Sequence, residues 1–294
     1  FPARFGGRLS SVLEMNMKDG NKQEPKADVG IGLLSSRFTV EAPIIKNKSS
    51  FLISGRRTYI DALTLPFQNT ENNGGYFFYD FNAKFNYEIS HKDKIYLSTY
   101  LGRDKFYANT LENRNFQNNF SLFWGNATGT LRWNHLYNSR LFANTSLIYS
   151  NYQFNIQVKQ TELADFFELK LFSGIRDFTL KHDLDYALHP NHTLKMGISL
   201  QQHRFTPSGT TISTNTLSDN FRKVSSIDAL ESGIYVEDNL KIGERFKANA
   251  GVRFANFLVQ GKAYTAIEPR FSARYLIRED LSIKASFASM NQFI

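Results

Sequence analysis

The sequence predicts an all-β chain and, within that class, a transmembrane antiparallel β-barrel. Three observations carry this. Apolar residues make up 41% of the 294 positions and aromatic residues 15%, with 27 Phe and 14 Tyr, yet mean hydropathy is negative at −0.38. Apolar side chains are therefore interleaved with polar ones. No run of about 20 apolar residues occurs, which a membrane-crossing helix would need. An alternation of period two recurs along the chain, the sequence signature of barrel strands. The same alternation also fits a large soluble antiparallel sheet, whose apolar face would pack on a second sheet.

Composition removes several classes of function. There is no cysteine, which excludes a disulfide scaffold, a Cys-based zinc site and a Cys nucleophile. The net charge is +8, but Lys and Arg are spread through every strand. No basic run or aromatic RNA motif accompanies them, so nucleic acid is not an expected partner. Residue 1 is Phe and no signal peptide precedes it, so the sequence is expected to begin inside a longer precursor.

In chain order, Pro2 and Gly6-Gly7 allow a sharp bend. Residues 9–18 then alternate and read as a strand, ended by Asp19-Gly20. Residues 1–20 read as the end of a small domain, 21–26 as a linker and 27–294 as barrel strands. Ala27, Val29 and Ile31 alternate with Asp28 and Gly30, and Phe38 and Val40 alternate with Arg37 and Thr39. After a turn at 43–48, Phe51 and Ile53 resume the pattern. Residues 61–75 hold Pro66, three Asn and Gly74-Gly75 and read as a loop.

The clearest strand follows. Phe77, Tyr79, Phe81, Ala83, Phe85 and Tyr87 share one face, and Phe78, Asp80, Asn82, Lys84, Asn86 and Glu88 the other. In a barrel the first face meets lipid and the second a wet lumen. Between Tyr149 and Tyr152 the apolar parity switches, which predicts a β-bulge. Later strands place Leu230, Ile234 and Val236 opposite Glu231, Tyr235 and Glu237. They also set Ala250 and Val252 against Asn249 and Arg253, and Ile267 and Phe271 against Glu268 and Arg270. About thirteen strands emerge by this rule, with boundaries uncertain by a few residues. Short turns alternate with longer polar loops at 65–75, 110–118, 161–165, 206–226 and 261–264. That two-sided habit suits a barrel with long external loops. Bacterial single-chain barrels hold an even strand number, so an odd count predicts further strands elsewhere.

Five stretches carry a family likeness: FPARFGGRLSSVLEMNMKDG, SSRFTVEAPI, SFLISGRRTYIDAL, SGIYVEDNLKIGERFKANAGVRF and EPRFSARYLIREDLSIKASFASMNQF. The first resembles the end of the plug domain of TonB-dependent outer-membrane receptors. The others resemble barrel strands of the same family, in the Bacteroidetes style, and the likeness covers the whole chain. It implies part of a plugged barrel of roughly 22 strands. It also implies that the chain holds the plug's end and just over half the barrel, without the energy-coupling box or the closing strands. The implied partners are outer-membrane lipid and the TonB–ExbB–ExbD complex, reached through the missing N-terminal region. A nutrient ligand is implied too, and there is room for a surface lipoprotein.

No catalytic motif is found: no GxSxG, phosphate loop or HExxH. No cofactor is expected. His189 and His192 share the turn HPNH, which without further ligands reads as a solvated turn and not a metal site. The leading function is an importer that binds a scarce nutrient at the cell surface. A passive porin-like channel and a structural or adhesin barrel are the alternatives. Arg4 and Arg8 in the plug's end are expected to meet the lumen-facing Glu231, Glu237 and Glu268; hydration, or pairing with Arg253 and Arg270, is the other reading. Phe67, Tyr76, Arg56 and Arg57 are candidate ligand contacts, with girdle, packing and lumen-lining roles set beside them.

Overall fold

The computed structural model describes residues 2–69, 71–113, 115–215 and 220–293. Among these residues thirteen strands form one antiparallel sheet in simple chain order. They are β1 (Lys26–Ile31), β2 (Ser35–Ile45), β3 (Ser49–Thr58), β4 (Asn72–Glu88), β5 (Asp93–Asn113), β6 (Phe116–Asn138) and β7 (Leu141–Glu162). There follow β8 (Asp165–His189), β9 (His192–Thr214), β10 (Phe221–Ile242), β11 (Phe246–Val259), β12 (Lys262–Arg278) and β13 (Leu281–Ala288). A helical turn, α1 (Ile60–Thr64), and a 3-10 turn at Leu65–Phe67 lie between β3 and β4. No helix among the described residues is long and apolar enough to cross a membrane.

Residues directly opposite each other in a ladder share a face, so the registers line side chains into rows. One outward row runs Leu97, Leu131, Leu147, Leu180 and Leu200 across β5–β9. Two residues higher it is Thr99, Gly129, Tyr149, Phe178 and Gln202. The next row is Leu101, Ala127, Asn151, Arg176 and Arg204, joined on β10 by Asp228. Above that come Arg103, Gly125, Gln153, Gly174 and Thr206. The outward face thus turns from apolar to polar over about 13 Å, four residues of strand rise. The inward face below this level buries Lys84, Asn86, Thr179, Glu237, Arg253, Glu268 and Arg270. Outward Val252 and Phe271 are exposed, at 40% and 46%. Phe81, Phe85 and Ala250 take the same face, opposite Leu101, Leu97 and Phe271.

Three sequence expectations change. First, β7 keeps unbroken register with both neighbours through Tyr149–Tyr152, so there is no bulge there. The parity switch instead marks where the outward face turns from apolar to polar. Below it the apolar side chains point out. Above it Tyr152, Phe154, Ile156 and Val158 point inward and Asn151, Gln153 and Asn155 point out. The register breaks instead at Phe172/Gly174 and Ser225/Ile227.

Second, most of 110–118 and 206–226 is strand, since β5 reaches Asn113, β6 starts at Phe116, β9 reaches Thr214 and β10 starts at Phe221. Ladder hydrogen bonds need no apolar side chains, so paired strands standing in water lose the alternation and keep the pairing. Residues 72–75 likewise belong to β4. The β11–β12 hairpin closes on Gln260-Gly261, both at positive φ (50° and 77°), the geometry of a tight two-residue turn. The asymmetry of the two ends lies in ladder height.

Third, residues 9–18 form no strand. No neighbouring strand pairs with them, and Leu13 and Met15 stay exposed.

Candidate functional site: the lumen and its N-terminal segment

The N-terminal segment lies against the inward face at two places, and at both the wall grips its main chain. At the first, Ala3 N–H donates to Glu237 Oε2 at 2.6 Å, and Ala3 is fully buried. Arg270 Nη1 donates to the carbonyls of Pro2 (2.6 Å) and Phe5 (2.5 Å). Arg270 Nη2 bonds Glu268 Oε2 at 2.7 Å, with the two side chains 1% and 0% exposed. Glu268 Oε1 accepts from Asn291 N–H at 2.9 Å. The strands β10 and β12 present these groups because their polar parity faces in. Gly7 has φ +70°, and a Cβ there would stand 2.5 Å from Glu231 Oε1, so glycine lets the bend reach the wall.

At the second place, on β3 and β4, Lys84 Nζ donates to Met17 O at 2.6 Å and pairs with Asp19 at 2.6 Å. Ser50 Oγ donates to Gly20 O at 2.6 Å. Asn21 N–H donates to Glu41 Oε2 at 3.1 Å. Between the two grips the segment crosses from the β10–β12 side to the β3–β4 side.

The arginine–glutamate pairs expected from the sequence are not the ones formed. Arg4 pairs with Glu14 of its own segment at 2.9 Å. The Arg8 guanidinium donates to the Gly7 carbonyl at 2.6 Å. Glu231 stands near His203, 3.5 Å away, and His203 bonds Asp177 at 2.8 Å. Arg253 Nη2 donates to Ser199 on β9 at 3.0 Å. The carboxylates thus hold backbone or barrel cations.

Higher on the wall the inward face becomes aromatic. Phe106 and Phe120 meet edge-on at 6.2 Å, His203 stacks on Phe205 at 5.1 Å, and Phe257 stacks on Phe293 at 5.4 Å. A cavity of about 840 Å3 opens among Arg8, Tyr152, His203, Phe205, Glu231 and Phe257. Its mix of rings and a few charged groups is the make-up of a small-molecule pocket. Of the candidate contacts, Tyr76 and Arg56 face this lumen. Tyr76 OH donates to Asp104 at 2.6 Å. Arg56 pairs with Asp80 at 2.7 Å and lies 4.9 Å over the Phe78 ring. Arg57 faces the other way, on Asp61 (3.0 Å) and the Phe77 ring. Phe67 stands apart on the 3-10 turn, 90% exposed. The inward aromatics of β5–β7 were missed as candidates; the parity switch at Tyr149/Tyr152 is the signal that points to them. Among the described residues no group of three His, Cys, Asp or Glu is placed to hold a metal ion.

The model of the TonB dependent receptor-like β-barrel matches residues 55–289. The chain belongs to this family. The family's barrels reside in the outer membrane, so the outward apolar band faces lipid. Among solved structures, the fold is similar to a mutant of the ferric enterobactin receptor of Pseudomonas aeruginosa, with TM-score 0.59 and 14% identity over 92% of this chain and 42% of that one. It is also similar to the siderophore receptor PirA of Acinetobacter baumannii, with TM-score 0.60 and 13% identity over 94% of this chain and 42% of that one. The unliganded ferric citrate transporter FecA gives TM-score 0.53 and 11% identity over 89% of this chain and 42% of that one. The chain therefore spans under half the length of each. No curated protein matches the sequence.

Proposed function

We propose that the chain is the plug end and part of the barrel of an active-transport receptor of the outer membrane. It binds a scarce nutrient at the cell surface and imports it with energy from the TonB–ExbB–ExbD complex, which engages the protein upstream of residue 1. The carrying observation is the segment held across the lumen by Glu237, Arg270, Ser50 and Lys84. A passive channel needs an open lumen, and a purely structural barrel has no use for a gripped segment inside it. In this reading Arg4, Arg8, Glu231, Glu237 and Glu268 lie at the plug–barrel boundary. Tyr76 and Arg56 belong with the aromatic lumen that receives the ligand. The rings favour a compact ligand with apolar surface, and the iron chelates named for the structural neighbours are the first probes to use.

The test is uptake by the full-length receptor in cells with and without TonB, using radio-iron as ferric enterobactin and as ferric citrate. The expected result is accumulation that requires TonB. Accumulation at the same rate without TonB would leave the passive channel standing.

A further inference from the structure

Past the first grip the inner wall changes character. On β10–β12 the inward carboxylates are Glu231, Glu237 and Glu268, and each is engaged at the grip or above it. The next inward row toward the short turns holds only neutral groups, Asn239, Asn249, Ser272 and Ser286. The row after it is Lys241, Lys247, Arg274 and Lys284, one cation from each of β10–β13, each directly opposite the next. Arg274 stands four residues along β12 from Arg270, about 13 Å of strand rise.

Like charges directly opposite each other in a ladder oppose its pairing. All four side chains are exposed to the lumen, and none has an acidic partner among the described residues. On the neighbouring wall Lys84, Lys94 and Lys195 are matched by Asp19, Glu88 and Asp185. A cleft of about 380 Å3 opens along the basic row, lined by Lys247, Arg274, Lys284, Asn249, Ser272 and Ser286. That volume is in the range of small-molecule sites. No aromatic ring lines it, so it lacks the anchors on which protein partners usually seat.

We infer that this stretch of inner wall holds a small polyanion, a solute with two or more carboxylate or phosphate groups. Arg274 offers its planar fork to one acidic group. Lys247 and Lys284 stand opposite it on either side as point charges, and the Ser272 and Ser286 hydroxyls donate to the remaining oxygens. Arg270 adds a second stage. Its Nη1 bonds to the Pro2 and Phe5 carbonyls exist only while the segment is seated, so withdrawal of the segment frees that donor between the aromatic cavity and the basic row. The site thus receives an acidic solute that has passed the grip. That role rests on the transport reading; the binding itself does not.

The test is calorimetric titration of the full-length receptor in neutral detergent at low ionic strength. The probes are citrate, pyrophosphate, acetate and hexaglutamate. The expected result is one bound copy of citrate or pyrophosphate, with acetate at least about tenfold weaker and with affinity that falls as salt is added. Lys247→Gln, Arg274→Gln and Lys284→Gln combined weaken it about tenfold or more. The control removes as much charge outside the lumen, in Arg103→Gln, Lys105→Gln and Arg176→Gln combined, and leaves binding unchanged. Retained heat-modifiable mobility on gels verifies folding of both variants. Absence of binding by both polyanions overturns the inference, as does unchanged binding in the lumen variant. An equal loss in the control also overturns it, since net charge alone would then explain the affinity. Tighter binding of hexaglutamate than of either polyanion assigns the row to a protein segment and overturns it too. The titration needs no TonB, so its failure leaves the uptake experiment standing, and failure of the uptake experiment leaves the titration standing.

Discussion

At the residue scale the most consequential pair is Glu268–Arg270, fully buried on the lumen side. Arg270 spends its donors on Glu268, Pro2 and Phe5, so the pair joins wall to segment. Removing one charge of such a pair leaves the other desolvated and unbalanced, at a cost of about 3–5 kcal/mol. Glu268→Gln is therefore expected to lower barrel stability by that order, read as the shift in urea unfolding of the full-length receptor. Glu268→Met with Arg270→Met should restore much of it, because two well-packed apolar residues escape the desolvation. If Glu268→Gln unfolds at the same urea concentration as the wild type, the pair contributes nothing. The inward aim of both residues was legible from parity alone. Which donor meets which acceptor was not, because alternation assigns a face and says nothing of a segment that crosses the lumen.

At the element scale, the period of two ties each strand's face to its register, and a slip of one residue would turn every side chain over. Ala250 faces lipid and Asn249, bonded to Asn239 at 3.0 Å, faces the lumen. Arginine at mid-membrane on the lipid face costs about 2–4 kcal/mol. Ala250→Arg should lose that much folding stability in lipid vesicles while Asn249→Arg loses little. Equal losses would break the assignment of faces. The strands of the membrane band, such as β4 with Phe77 to Tyr87, were readable because lipid and lumen differ so sharply. The upper reaches of β5, β6, β9 and β10 were not. There both faces meet water or a mixed interior, and Thr, Ser and Asn occupy paired positions that look like loop. The same physics made the switch at Tyr149/Tyr152 resemble a bulge when it records the top of the bilayer.

At the scale of the whole molecule, the wall holds its inner segment by main-chain atoms: Ala3 N–H and the carbonyls of Pro2, Phe5, Met17 and Gly20. The two grips are far apart in the barrel, on β10–β12 and on β3–β4, and in sequence they come one after the other. A tension applied at the N-terminal side therefore loads the first grip alone. Only after it opens and the slack of 8–16 is drawn taut does load reach the second. The contacts rupture in series, peeling instead of shearing, and each rupture releases a few charge-assisted bonds of about 1.5–3 kcal/mol each. Single-molecule pulling of the full-length receptor from that side should show two separated force events. In Lys84→Met only the later one should shrink, whereas simultaneous loss of both would mean that the grips share the load. A lumen built this way yields to a modest, sustained pull through a succession of small barriers, with no need for any single force large enough to unfold the wall.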